Sequence, residues 1–501
     1  MVRRKSRRSL SRELFLGLYK ESGGRVPPLA AEVPFASPAD LYPAFSGGSS
    51  FLFESVKGPR KIARYSFIGF DPYVVFRVKN GRAEIRGSRG KEVSYERPLR
   101  KLKELLGGYR QLPLPGLPPF QGGAAGLFSY DFVHYLERLP DTAVDDLNIP
   151  DADFFMIDRM IAFDRLEKKA WAIVCPGARS GAVNDAALMY DEADLSLETI
   201  CRKAELAGQR PPEHDPEGQR RGGTATEVVH GLTREEYMNM VVRAKEYIAA
   251  GDIFQANLSQ RVSACIGSLD PWPLYMGLRR INPSPFAGYM DFGDYFIASS
   301  SPERLVRVKD GLIETRPIAG TRPRGRDIAE DEEMRRELLL NEKERAEHIM
   351  LIDLERNDLG KVSEYGTVVV DELMITEDYS HVIHIVSNVR GVLREGRDCL
   401  DVIRAVFPGG TITGVPKVRC MEIIEELERV KRGPYTGSMG YIGFSGNMDM
   451  NIVIRTFVIK DGYAHVQAGA GIVADSDPGR EYFETIKKAE ALVNALRGLS
   501  C

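Results

Sequence analysis

The chain's 501 residues exceed one ordinary hydrophobic core, so one large or two interlocked domains are expected. With 43% hydrophobic and 28% charged residues it has the composition of a soluble globular protein. A formal net charge of −3 argues against nucleic-acid binding as its main role, because neutralising phosphates needs a cationic excess, and a small-molecule substrate is expected instead. Six cysteines, at 175, 201, 265, 399, 420 and 501, form no C-x-x-C pair, which points away from zinc or a disulfide framework and toward a reducing cytoplasm. No apolar run reaches the ~18 residues of a membrane span.

The N-terminus carries Arg3, Arg4, Lys5, Arg7, Arg8 and Arg12 without an apolar core, and reads as a frayed basic arm rather than a targeting peptide. From 14 to 205 short β-like runs alternate with turns. Phe51-Leu52-Phe53-Glu54-Ser55 and the run from Arg64 to Gly69 predict paired strands. Tyr73 to Val78, Asn80-Gly81 and Ala83 to Ile85 predict a hairpin, since Asn-Gly suits a tight turn. Gly122-Gly123-Ala124-Ala125-Gly126 lacks the Lys-Ser/Thr ending of a phosphate loop and predicts close backbone packing. Residues 206–226, rich in Pro, Arg and Gly, predict a linker or exposed insertion, because they cannot bury enough apolar surface to offset the entropy of ordering.

Beyond it, Thr233 and Glu236 form a capping-box pattern that starts a helix with Tyr237, Met240, Val241, Ala244 and Ile248 on its inner face, before Gly251. Residues 253–262 predict a strand whose polar Gln255, Asn257 and Ser259 alternate and could line a cavity. Glu303 falls at a strand edge, and in Arg316-Pro317-Ile318-Ala319-Gly320-Thr321 the glycine lets the backbone approach a ligand closely. Residues 328–359 contain no proline or glycine and predict one long helix. On it Glu344 and Glu347 share a face that Leu351 and Leu354 continue as an apolar stripe.

Asp477 and Pro478 suit the start of another helix, again with glutamates three apart, Glu481 and Glu484. Paired carboxylates leading into buried surface repel one another and resist desolvation unless a cation is near, so the repeat suggests two helices facing one ion. Magnesium suits such oxygen ligands; a solvated acidic turn is the plain alternative for either stretch alone. His381 and His384 lie in an apolar segment, where histidines are commonly satisfied core residues. Between Phe407 and Lys417 the backbone amides ahead of a helix could hold an anion. Arg455 ends a β-branched run and suits either a forked grip on a carboxylate or a buried ion pair. No nucleophile triad, Walker loop or dinucleotide fingerprint competes, so the residues alone describe a metal-dependent enzyme acting on a dicarboxylate.

The motifs Arg316 to Thr321, Glu344-Arg345-Ala346-Glu347-His348 through Asp358, Phe407 through Lys417, and Gln467 through Gly471 resemble, in the same order, those of the chorismate-utilising enzymes. That family includes anthranilate synthase component I, aminodeoxychorismate synthase component I, and the isochorismate and salicylate synthases. The resemblance spans essentially the whole chain: 14–205 is similar to the N-terminal domain of the two aminating enzymes, 206–226 would be a linker, and 227–499 is similar to the chorismate-binding catalytic domain. It implies an α/β (α+β) fold of two large antiparallel sheets packed as a sandwich with helices outside.

It further implies Mg²⁺ held by Glu347 and Glu484, with Glu344 and Glu481 behind them, and Tyr435 and Arg455 gripping the enolpyruvyl carboxylate. Gly320, Thr321, Thr411, Gly469, Ala470, Gly471 and Lys488 would contact the substrate. Glu303 would be the general acid that assists departure of the C4 hydroxyl, and His384 a further acid/base or positioning residue. Where isochorismate and salicylate synthases carry a lysine base that activates water, this chain has Gln255, which favours ammonia as nucleophile.

For the product, Ala319 stands where one branch of aminodeoxychorismate synthases carries a covalent lysine, and alanine is usual in anthranilate synthases. Gln255-Ala256-Asn257-Leu258, Phe407 to Gly414 and Met450 to Arg455 look more like the aminodeoxychorismate branch, some of whose members also have alanine. Asn282 to Tyr289 departs from the Tyr-Met pattern of tryptophan-inhibited members, although Phe51 to Ser55 keeps part of their inhibitor pocket. The balance favours aminodeoxychorismate synthase component I, with anthranilate synthase component I as the alternative. No Gly-x-Cys-x-Gly amidotransferase elbow occurs, so use of glutamine implies a separate glutaminase partner. A non-catalytic chorismate sensor would instead bind without turnover, and no nucleic-acid or membrane partner is expected.

Overall fold

The computed structural model describes residues 8–88, 90–180, 185–209, 227–378 and 382–497, apart from the Lys343 and Arg497 side chains. Most of the basic arm, most of the 206–226 segment and His381 therefore lie outside the described residues. Two 12-stranded sheets organise the rest. The first runs, edge to edge, Leu29–Val33, Lys169–Val174, Arg159–Asp164, Tyr65–Gly69, Ser50–Glu54, Phe286–Asp291, Tyr295–Ser301, Thr456–Lys460, Tyr463–Ile472, Gln255–Cys265 and Val228–His230, with Gly414–Val415 also on Gln255–Cys265. The second runs Ile318–Pro323, Val382–Val392, Leu312–Thr315, Arg304–Lys309, Met448–Asn451, Ser438–Gly443, Gly123–Phe128, Ala152–Ile157, Val74–Lys79, Arg82–Gly87 and Gly90–Ser94, with Val369–Asp378 also on Val382–Val392. Residues before and after 206–226 share both sheets: Leu52 pairs with Tyr289 in the first, and Ala125 with Tyr441 in the second.

Alternation along the strands distributes the core. Ala125, Leu127, Phe155 and Tyr441 meet Phe67, Ile297 and Val458 of the other sheet in a layer between the two. Their strand neighbours Ala124, Phe128, Phe154 and Ile442 point the other way, into a cluster completed by the helices Arg234–Ala249, Glu342–Gly360, Cys399–Val406 and Lys417–Leu427. Pro38–Phe45, Ala186–Gly208, Pro271–Ile281 and Pro478–Arg497 cover the first sheet. The expected sandwich of antiparallel sheets with outer helices is what the chain forms.

Several local expectations hold for the reasons that motivated them. Asn80 and Gly81 turn the hairpin with φ of 49° and 77°, and both halves of the Thr233/Glu236 capping box are made. Close packing explains the 122–126 glycines: a Cβ at Gly123 would lie 2.2 Å from Ile442 O, and one at Gly126 2.2 Å from Asp153 O. The single helix expected over 328–359 is instead two, Ile328–Leu340 and Glu342–Gly360. Asn341 ends the first and caps the second, its side chain accepting from Glu344 N at 3.0 Å, so a side chain that competes for backbone donors breaks the run without Pro or Gly.

Candidate active site

Glu303 sits where Tyr295–Ser301 leaves the first sheet and Arg304–Lys309 enters the second. Its main chain is fixed by Ile452 N donating to Glu303 O at 3.0 Å, and Thr411 Oγ1 donates to its carboxylate at 2.9 Å. Burial pushes its pKa up to about 7, against the opposing pull of the Thr411 hydrogen bond and of positive Arg455 and Lys488. A carboxyl that keeps a proton near neutrality is suited to general-acid work.

A second wall forms where Ile318–Pro323 pairs with Val382–Val392. Gly320, at φ +58°, makes a bulge between Ala319 and Thr321, and His384 Nδ1 then lies 3.2 Å from Gly320 O and 3.0 Å from Thr321 Oγ1. A carbonyl can only accept, so Nδ1 carries the hydrogen. Burial, reinforced by Arg455, holds the His384 pKa down to about 4, which leaves a neutral imidazole at physiological pH. Arg455 itself has φ +51°, a left-handed conformation that costs an arginine about 1–2 kcal/mol. Its charge acts on both Glu303 and His384.

The third wall is the strand Tyr463–Ile472 beside Gln255–Cys265. Lys488, on Pro478–Arg497, donates to Gly469 O at 3.0 Å and pairs with Glu484 at 2.8 Å. A Cβ at Gly469 would lie 2.5 Å from Asn257 Oδ1 and 2.8 Å from Tyr435 Oη; one at Gly471 would lie 2.4 Å from Gln255 Nε2. Glycine at both positions is what lets these polar groups approach the strand. The structure thus brings Glu303, Thr411, Arg455, His384, Gly320, Thr321, Lys488, Gly469 and Tyr435 into one linked network.

The acidic helix faces flank that network. A Cβ on Gly320 would fall 2.3 Å from Glu344 Oε2, an oxygen that is buried with no hydrogen-bond partner, while Glu344 Oε1 takes Arg322 Nη1 at 2.6 Å. A carboxylate oxygen with no N–H donor, in a slot only glycine leaves open, fits a nearby hard cation. Glu347 and Glu481 are partly buried and Glu484 is half exposed in its pair with Lys488. Among the described residues, the one set of three donor atoms already within 4.8 Å of one another is elsewhere, at His134, Asp141 and Glu425. Those carboxylates are committed: Asp141 pairs with Lys431 at 2.7 Å and Glu425 accepts from Thr142 N and Ala143 N at 2.8 and 2.9 Å.

Two groups escaped sequence reasoning. Arg432, fully buried against Glu428, donates to Ile412 O at 2.9 Å and Asn257 O at 2.6 Å, and lies over the Tyr130 and Tyr435 rings. It ties the Thr411 turn to the third wall; its only signal was an i,i+4 charge pair, which ordinarily sits on a surface. Glu355 lies one helical stripe beyond Glu347 and Leu351, is buried, and has its pKa pushed up to about 8 mainly by that burial. Away from the network, Phe53, Glu54, Pro285, Phe286, Arg304 and Tyr441 line a cavity of about 260 Å³, so the two segments compared with an inhibitor pocket do meet.

A sheltered acid beside Arg455 and Lys488, set on two large antiparallel sheets with helices outside, has the architecture of a chorismate-utilising enzyme. The model of the chorismate binding enzyme family matches residues 48–494, and the chain belongs to that family. It is 45% identical over 463 residues to anthranilate synthase component 1 of Acetivibrio thermocellus, covering 92% of each chain. It is 43% identical over 477 residues to aminodeoxychorismate synthase component 1 of Bacillus subtilis, covering 94% of this chain and 97% of the relative. The crystal structure of anthranilate synthase component I from Streptococcus pneumoniae superposes with a TM-score of 0.75 at 35% identity, over 86% of this chain and 92% of that one. These relatives do not single out the aminodeoxychorismate branch that the sequence motifs favoured; most of those found are named anthranilate synthase component 1. No described helix is long and apolar enough to cross a membrane.

Proposed function

We propose that this chain is the chorismate-aminating component of an anthranilate synthase, converting chorismate and ammonia to anthranilate, pyruvate and water. The reading is carried by Glu303, a buried acid flanked by Thr411, Arg455 and Lys488, in a chain whose relatives are mostly named for that activity. Ala319 supports this product, since no lysine is present there to form an adduct.

Arg455 and Tyr435 hold the enolpyruvyl carboxylate, and Thr321, His384 and Lys488 orient the ring. The lone pair of ammonia forms the bond to C2, the ring π electrons shift, and the C4–O bond breaks as Glu303 gives its proton to the departing hydroxyl, which leaves as water. The resulting C2 ammonium loses a proton to the Glu303 carboxylate. Loss of the C2 hydrogen as a proton and cleavage of the C3–O bond then aromatise the ring and release enolpyruvate, which is protonated to pyruvate. Neutral His384 positions rather than protonates. Glu347 and Glu484, with Glu344 and Glu481 behind them, would hold Mg²⁺, which supplies charge neutralisation at the ring carboxylate when bound. Ammonia would come from a separate glutamine amidotransferase subunit, in keeping with the component 1 naming of the relatives.

A second reading, aminodeoxychorismate synthase component I, is favoured by Gln255-Ala256-Asn257-Leu258 and by the Bacillus subtilis relative. Incubating the chain with chorismate, Mg²⁺ and ammonium and identifying the product by fluorescence and mass separates the two. Anthranilate is expected; 4-amino-4-deoxychorismate would overturn the reading.

A further inference from the structure

We propose that Asn257 holds the nucleophile, its side-chain carbonyl accepting an N–H of the attacking ammonia. This deepens the amination reading above and rests on it. Asn257 is 9% exposed, and its Oδ1 is buried without a hydrogen-bond partner. On the same strand face, two residues earlier, Gln255 Oε1 is likewise buried and unpartnered. Both side chains lean across the glycine track of the neighbouring strand: Asn257 Oδ1 lies 2.5 Å from where a Gly469 Cβ would be, and Gln255 Nε2 2.4 Å from where one on Gly471 would be. Tyr435 Oη borders the same point at 2.8 Å. The Asn257 main chain is pinned by Arg432 Nη2 donating to its carbonyl at 2.6 Å, which fixes the point from which the side chain projects.

A buried neutral carbonyl oxygen without a partner calls for a hydrogen-bond donor. It repels the carboxylates of a dicarboxylate substrate, so it does not serve their anionic ends. Ammonia presents three N–H donors and one lone pair; placing one N–H on Asn257 Oδ1 leaves the lone pair free to be directed at the ring. Water in the same place would have to give up a proton as it attacks, and an amide is not a base. Asn257 therefore favours ammonia by what it cannot do as well as by what it binds.

The test varies ammonium at saturating chorismate and Mg²⁺, and then chorismate at saturating ammonium, following chorismate loss with the full chain. Asn257→Leu keeps the volume and removes the acceptor; its KM for ammonia is expected to rise about tenfold, with the KM for chorismate within about twofold. Asn257→Asp keeps an oxygen in place and is expected within about threefold of the unmodified KM for ammonia. Should Asn257→Leu not fold, Asn257→Ser withdraws the acceptor and reads the same ratio. An unchanged KM for ammonia, a rise in the KM for chorismate instead, or an Asn257→Asp variant as impaired as Asn257→Leu would each overturn the assignment. An unmodified chain that consumes no chorismate with ammonium would defeat the amination reading, and this inference with it.

Discussion

Replacing Glu303 by Gln tests the acid directly, because it keeps the side chain's shape and its contact with Thr411 but leaves no proton to give. General acid catalysis contributes about 10²- to 10⁴-fold, so kcat for chorismate consumption should fall by that factor. With the Glu303 pKa pushed up to about 7, about half the enzyme is protonated at pH 7 and about a tenth at pH 8. At constant free ammonia, activity should therefore fall as pH rises through about 7, and this limb should vanish in Glu303→Gln. Thr411→Val removes a donor that stabilises the carboxylate, so it should raise the Glu303 pKa further and move the limb to higher pH. Stability has the same sign: a carboxyl whose folded pKa is raised from 4.5 to about 7 favours folding most below 4.5 and loses that contribution as pH rises through 7. Glu303→Gln should accordingly lose less stability between pH 5 and 8 than the unmodified chain. Initial rates across this pH range, paired with thermal unfolding, decide the matter. A Gln variant that keeps more than about a tenth of the activity, or an unaltered basic limb, would refute the reasoning.

Glu347→Gln and Glu484→Gln should each abolish magnesium-dependent turnover while changing unfolding free energy by less than about 1 kcal/mol, since neither is fully buried; retained turnover on a magnesium titration would reject the metal assignment. Gly320→Ala should cost about 1–2 kcal/mol for the left-handed backbone and reduce turnover as well, because its methyl displaces Glu344; thermal unfolding and chorismate loss measured together would show it. Arg432→Met should be the most destabilising of these, by about 3–5 kcal/mol on denaturant titration, because it strands Glu428 in the interior.

Local chemistry was largely legible along the chain: the Asn80-Gly81 turn, the Thr233 cap and the close-packed glycines at 123 and 126 follow from residue type and near neighbours. The ordered motifs singled out Gly320 and Glu344, and the fold brings the two into close approach. What escaped depends on distant partners. Strand order across both sheets is set by pairings such as Leu52 with Tyr289, which alternation alone cannot specify. The break at Asn341 turns on one capping hydrogen bond within an otherwise good helical run. Arg432 reads as surface until the fold places two aromatic rings and Glu428 around it.

The claim on which the account most depends is that helices more than a hundred residues apart in sequence serve one ion beside Arg455. Crystals grown with chorismate and Mn²⁺, an oxygen-seeking stand-in with a usable anomalous signal, test it most directly. The account predicts a single strong peak bridged by Glu347 and Glu484, next to a ligand carboxylate. A peak at His134, Asp141 and Glu425, or none between the two helices, would contradict it.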